Sequence, residues 1–147
     1  MIFYKQVAYR FFSFITLFGL PVFYIPIIVY VATIDFLFSI SLILILLLTE
    51  LVCGIIKITY TKNRPTPLKK QTLFQKYYAG SFPSIHCARI IALFIGINML
   101  FISNLFIFVT LLIVIAVGYS RIYLKKHDVI DVLGGYAIGA IIAMLVV

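Results

Sequence analysis

Long apolar runs separated by brief polar breaks set the pattern of this chain. Phe11 to Ile34 carries no charge, Phe36 to Ile56 is interrupted only by Glu50, Ile90 to Val117 has a polar break at Ser103-Asn104, and Val132 to Val147 is apolar throughout. Split at Ser103-Asn104, these runs predict five spans, on the scale of the ~20 residues a helix needs to cross a bilayer's hydrocarbon. Backbone polar groups in hydrocarbon must pair within their own segment or in a closed barrel, and the runs lack the in-out alternation of barrel strands. The expected fold is therefore all-α, an integral membrane helical bundle of about five transmembrane helices. Pro21 and Pro26 predict that the first run kinks, or divides into an interfacial piece and a shorter span. Lys5 and Arg10 ahead of an apolar stretch resemble a signal peptide weakly, but no small-residue cleavage site follows, so a retained helix is expected.

Composition agrees with this reading and removes alternatives. A length of 147 residues allows one domain, residues 1–147, and a hydrophobic share of 65% against 11% charged places that domain in a bilayer rather than in water. The net charge of +8 could suggest nucleic acid, but the cations sit at helix ends rather than along a solvated face. Anionic lipid is the expected partner and nucleic acid is not; the oligomeric state is left open. Cys53 and Cys87 lie in apolar surroundings without CxxC spacing and read as small buried residues. If five spans alternate across the bilayer, the N-terminus, Lys57 to Phe82 and Arg121 to Asp131 share one side. That side holds almost every cation, whereas the loops near Asp35 and Ser103-Asn104 hold none. The positive-inside rule makes it cytoplasmic in a multi-pass protein of the cell membrane.

Several polar positions stand out against the apolar background. The stretch Thr59 to Phe82 exceeds an ordinary connector and carries Lys62, Arg64, Lys69, Lys70 and Lys76, ending in "KYYAGSF" before "PS" opens a helix. Lys69, Lys70, Lys125 and Lys126 are expected to anchor at head groups. Glu50 and Arg89 both fall within apolar segments, where an isolated charge costs about 3 kcal/mol on insertion scales, so they either pair or reach water separately. Gly135-x3-Gly139 predicts a close helix contact.

The expected cation-rich side also gathers the candidate chemistry: Lys57, Arg64-Pro65, then Pro83-Ser84-Ile85-His86, then Ser120-Arg121, His127 and Asp131. Lys and Arg are the groups a phosphate dianion needs, with Arg adding fork geometry, and a helix starting near Pro83 adds free N–H groups. His127 and Asp131, four apart, are expected on one helix face, where the carboxylate accepts from one imidazole nitrogen and leaves the other free to attack.

These segments, "KITYTKNRP", "PSIH" and "SRIYLKKHDVID", resemble in order and spacing the three signatures of the type 2 phosphatidic acid phosphatase (PAP2) superfamily: Lys-x6-Arg-Pro, Pro-Ser-Gly-His and Ser-Arg-x5-His-x3-Asp. The resemblance runs from Lys57 to Asp131, about half the chain. It implies a membrane lipid phosphatase in which His127 attacks phosphorus to form a phosphohistidine, Asp131 orients it and His86 protonates the departing oxygen. Lys57, Arg64, Ser84 and Arg121 are then implied as the phosphate cradle, with no metal and no cofactor. The implied substrate is a phosphomonoester or diphosphate of a membrane lipid, such as polyprenyl diphosphate, phosphatidylglycerol phosphate or phosphatidate. Soluble vanadate-using haloperoxidases share the motifs, but on a water-soluble body that this chain lacks. Two departures accompany the resemblance. The family core usually has six membrane helices, so a sixth would lie in a broken first run; and Ile85 stands where the family usually has Gly, which allows close backbone approach to phosphate. The alternative reading is a catalytically silent lipid-phosphate binder or scaffold.

Overall fold

In a computed structural model, residues 2–66, 68–69 and 71–147 are described. Helices are α1 Ile2–Ile15, a 3-10 turn Thr16–Gly19, α2 Pro21–Ile34, α3 Phe36–Thr59, α4 Leu73–Ala79, α5 Ile85–Leu100, α6 Asn104–Tyr123 and α7 Val129–Val146. The described residues contain no strand. Three helices, α3, α6 and α7, are long and apolar enough to cross a membrane. The first run breaks as its prolines predict: Pro21 opens α2, and α1 with its 3-10 turn meets α2 at a bend of 47°, the pair together passing the same test as one span. Pro26 is carried inside α2. α5 is apolar but has 16 residues, about 24 Å at 1.5 Å per residue, less than the ~30 Å of bilayer hydrocarbon.

Polarity is distributed inside out. Leu37, Leu105 and Leu145 are more than 70% exposed, whereas the fully or nearly fully buried set includes Thr49, Lys57, Ser84, Ser120, Arg121, His127 and Asp131. In water such an arrangement would waste apolar burial and dehydrate charge; with lipid as the outer solvent it is the favourable one.

The tightest seam joins α5 and α7. A Cβ on Gly135 would collide with the Ser84 carbonyl oxygen and come within 3.1 Å of Cys87 Cβ, and one on Gly139 would collide with the Ala88 carbonyl and come within 2.6 Å of Ile91 Cγ2. The expected small-residue contact is therefore backbone against side-chain-free backbone. It is continued by a hydrogen bond from Ser84 N–H to the Asp131 carbonyl, 2.9 Å, which ties the start of α5 to the first turn of α7.

Glu50 of α3 and Arg89 of α5 form the ion pair that their positions allowed. Arg89 Nε donates to Glu50 Oε2 at 2.8 Å, its Nη2 reaches the same oxygen, and the Tyr77 hydroxyl of α4 donates to Glu50 Oε1. Cys53 and Cys87 are free and buried. The long polar stretch, expected as loop, contains α4, started by a capping box in which Thr72 and Gln75 exchange side-chain to backbone bonds. Lys69 is exposed, and Lys70 lies outside the described residues.

Gly139→Ala is expected to cost about 1–3 kcal/mol, because the new methyl meets a backbone carbonyl that cannot rotate away. Gly54→Ala, whose Cβ would find only the Tyr77 ring at 3.4 Å, is expected to be neutral or to stabilise by up to about 1 kcal/mol through helix propensity. Thermal melts of both variants in detergent check the pair; equal behaviour would refute the seam.

Candidate active site

Where the C-terminal ends of α3 and α6 meet the start of α5, a pocket of about 600 Å³ opens. Its walls include Lys57, Arg64, Arg89 and Arg121, together with His86 and His127, and no Asp or Glu side chain lines it among the described residues. Lys125 and Lys126, expected as head-group anchors, line it as well.

Each cation of the expected cradle is held by a neutral oxygen. Lys57, in the last turn of α3 and 3% exposed, donates from Nζ to the Gly80 carbonyl at 2.6 Å. Arg64 donates from Nη2 to the Tyr78 carbonyl at 2.7 Å and sits 5.7 Å from the Tyr78 ring centroid. Arg121, in the last turn of α6, donates from Nη1 to Thr16 Oγ1 at 2.8 Å, so the break after α1 supplies its tether. A carboxylate in these places would cancel charge; a carbonyl or hydroxyl fixes the side chain and leaves its charge for an anion.

Unmet hydrogen-bonding capacity collects around the same pocket. Buried side-chain atoms without a partner include Arg64 Nε, Arg121 Nε, Ser84 Oγ and His127 Nδ1. Leaving one such group unpaired costs about 1–3 kcal/mol, and the two guanidinium N–H groups among them call for an acceptor. Ser84 is the N-cap of α5 and wholly buried; the pocket-lining residues from this turn are its neighbours Ile85 and His86. His86 is packed under Gly19, where a Cβ would come within 2.6 Å of its Cδ2.

The position of His127 follows from two helix ends. α6 closes with Lys125 N–H donating to the Ile122 carbonyl and Lys126 N–H to the Arg121 carbonyl, with Lys125 at φ 53. This is a Schellman stop with Lys in the left-handed position that Gly usually takes. Two residues later Asp128 caps α7, accepting from Asp131 N–H while Asp131 Oδ2 accepts from Asp128 N–H, both at 3.0 Å. His127 is thus in the turn between the helices, not on one helix face with Asp131 as its spacing suggested. It still comes near: Nδ1 lies 3.6 Å from Asp131 Oδ2, beyond a hydrogen bond. That oxygen already accepts from the Ser81 hydroxyl and Asp128 N–H, while Oδ1 accepts from Lys62 Nζ at 2.8 Å.

Burial pushes the His127 imidazole down to about 4; Asp131 opposes the shift, and Arg121, Lys57 and Arg64 add to it. At neutral pH the ring is uncharged, as a nucleophile must be.

The seven expected site residues divide by place. Lys57, Arg64, Arg121, His86 and His127 line the pocket, Asp131 stands behind His127, and Ser84 caps the adjoining helix. Thr16, Lys62, Ser81 and Asp128 were not anticipated at the site. Asp128-x2-Asp131 before an apolar run is a capping signature that sequence alone could have disclosed. Thr16, Lys62 and Ser81 reach the site only through the fold.

Among known proteins, the sequence pattern of the PAP2 superfamily matches residues 38–147. The chain belongs to the PAP2 superfamily. No curated protein matches it. Two solved structures are similar. The crystal structure of Aquifex aeolicus LpxE has a TM-score of 0.81 and 22% identity, covering 95% of this chain and 84% of that one. The first transmembrane PAP2 type phosphatidylglycerolphosphate phosphatase from Bacillus subtilis has a TM-score of 0.74 and 26% identity, covering 95% and 74%. The all-α membrane bundle is thus a PAP2 architecture. The departure from its pattern, Ile85, is accommodated by packing: the side chain is 7% exposed and sits against Cys53 and Ala88, with Tyr77 and Ile138 beside them.

Two outcomes are expected. Ile85→Val should keep the packing, whereas Ile85→Gly should lower stability by about 2–5 kcal/mol through the cavity it opens, measured by melting in detergent. For His127 the native pKa lies below the ordinary 6.5, so its neutral form stabilises the fold fully above pH 6.5 and that contribution is lost as pH falls toward 4. The His127 midpoint, read by 15N-histidine NMR of the resting protein, should accordingly fall near pH 4; a midpoint near 6.5 would contradict the burial of His127.

Proposed function

We propose that this chain is a membrane lipid phosphatase, acting on a phosphomonoester or diphosphate of a lipid through a phosphohistidine on His127. The observation that carries the proposal is the pocket itself: Lys57, Arg64 and Arg121 are each held by a neutral oxygen, Arg64 Nε and Arg121 Nε are buried and unpaired, and so is Ser84 Oγ in the adjoining helix cap. Such a site fits an anion with several oxygens. The apolar outer surface and the likeness to a phosphatidylglycerolphosphate phosphatase support a lipid as its carrier.

In the proposed reaction, Lys57, Arg64, Arg121 and the Ser84 hydroxyl hold the phosphoryl oxygens and stabilise charge that develops on them. His127 faces Asp131 through Nδ1, leaving Nε2 to form the bond to phosphorus while the bond to the lipid oxygen breaks. His86 gives that oxygen its proton. Water then attacks the phosphohistidine, His86 accepts a proton from it, and inorganic phosphate leaves with His127 restored. The pocket cations take the part a metal ion would otherwise play, so turnover is proposed to need neither metal nor cofactor. The whole described chain serves as one phosphatase unit, multi-pass in the cell membrane. Phosphatidylglycerol phosphate, phosphatidate and polyprenyl diphosphate are the proposed substrates.

Phosphate release by purified protein in detergent from a panel of these lipids, with EDTA present, tests the proposal. His127→Ala should abolish release and phosphoenzyme formation. His86→Ala should slow a lipid ester far more than an aryl phosphate, whose leaving group needs no proton; equal losses would remove His86 from the acid role. Loss of wild-type activity on chelation, restored by magnesium or zinc, would refute metal independence. Binding of lipid phosphate without release would favour a silent binder.

A further inference from the structure

Lys62 is not among the residues that define the family pattern, yet it makes the most direct charged contact with the carboxylate behind the nucleophile. Its Nζ lies 2.8 Å from Asp131 Oδ1 and 2.6 Å from Asp128 Oδ2, so one ammonium joins both carboxylates of the α7 capping box. Asp131 is wholly buried, and the Lys62 side chain is 24% exposed. Lys62 also has a further interaction beyond these two. Burial works against its charge, but the hydrogen bonds to Asp128 and Asp131 outweigh it and raise its pKa, which keeps the ammonium protonated.

The Asp131 carboxylate is therefore shared. Lys62 holds Oδ1, the Ser81 hydroxyl and Asp128 N–H hold Oδ2, and His127 Nδ1 waits at 3.6 Å without a partner. An unencumbered carboxylate at this place would take the imidazole N–H as its strongest remaining donor and draw a proton onto the ring. We propose that Lys62 is a positioning residue of the phosphatase site, which by pinning Asp131 Oδ1 and offsetting its charge keeps the carboxylate from closing on His127 before the nucleophile has reacted.

The other charged groups near His127 act in the opposite sense to Asp131 or alongside Lys62. Arg121 from α6, Lys57 from α3 and Arg64 from the following loop all disfavour a protonated ring, and His86 from α5 shares the pocket. Asp131 is the group near His127 that favours protonation, so whatever modulates Asp131 sets the balance. When the ring becomes a phosphohistidine and gains positive charge, Asp131 is the nearest anion to receive its Nδ1–H, and a gap of 3.6 Å closes with a small rotation of the carboxylate.

This inference rests on the proposed roles of His127 and Asp131, and its test reads the resting protein without turnover. The chain has two histidines, so 15N-histidine NMR of the full protein in detergent resolves their titrations, with His86→Gln assigning the signals. Lys62→Met should raise the His127 midpoint by about half a unit or more, the direction expected when a nearby carboxylate is unmasked. Lys62→Arg, which keeps the charge, should hold it at the wild-type value. Where Lys62→Met does not fold, Lys62→Gln carries the same test. An unmoved or lowered midpoint overturns the proposal, and so does an equal rise in Lys62→Arg, which would assign the effect to packing. Absence of phosphate release by the wild type would instead sink the phosphatase reading while leaving the titration result standing.

Discussion

Lys57, Arg64 and Arg121 converge on one pocket at the end of an apolar bundle, and their mutual repulsion is the constraint that the surrounding structure answers. Two unit charges 6 Å apart at an effective dielectric of about 20 repel by about 3 kcal/mol. Carboxylates would relieve this, but they would also fill the site. The chain instead distributes neutral acceptors: the Gly80 and Tyr78 carbonyls and the Thr16 hydroxyl each hold one cation in place. Those acceptors come from the segment after α3 and from the break after α1, so the bend in the first run and the unusual length of Thr59 to Phe82 both acquire a purpose. The repulsion remains in this arrangement, and in the proposed reaction a phosphate in the pocket would relieve it.

The acidic residues are kept to the rear of this arrangement. Asp131 serves three structures at once, as the N3 residue of the α7 capping box, as the partner of Lys62 and as the carboxylate nearest His127. Its backbone carbonyl additionally fixes the amide of Ser84 at the start of α5. One residue therefore couples the helix that follows His127 to the helix whose first turn carries His86. The glycine seam continues that coupling along the membrane, because Gly135 and Gly139 bring α7 against the backbone of α5 at Ser84 and Ala88. A shift along this seam would displace His86 relative to His127, which is why small residues are needed well away from the pocket.

Much of this was legible in the sequence, for reasons that differ by residue. The helical spans follow from uninterrupted apolar runs, and the proline break from Pro21, since these are local properties. Lys57, Arg64, His86, Arg121 and His127 could be proposed together because their spacing repeats a family pattern, and the fold brings all five to one pocket. Placement of His127 on a helix was misjudged because a Schellman stop with Lys at the left-handed position gives no glycine signal. Thr16, Ser81 and Lys62 were invisible for a deeper reason: their partners lie 105, 50 and 69 positions away, and no local rule links such residues.

The pair formed by Glu50 and Arg89 shows how the bundle supports the site from below. An ion pair inside an apolar assembly rarely adds stability over a packed hydrophobic pair, because desolvation offsets most of its attraction. Its value lies in register. Glu50 is on α3 two turns before Lys57, Arg89 is on α5 one turn after His86, and Tyr77 adds the segment that carries the carbonyl of Tyr78. Sliding α3 against α5 by one turn would part a half-buried carboxylate from a mostly buried guanidinium, a penalty that a hydrophobic contact would not impose. The same pair therefore sets the height of Lys57 against His86. Arg89 also lines the pocket, but its charge is engaged by Glu50, whereas Lys57, Arg64 and Arg121 are held by neutral oxygens and keep their charge uncompensated by a carboxylate.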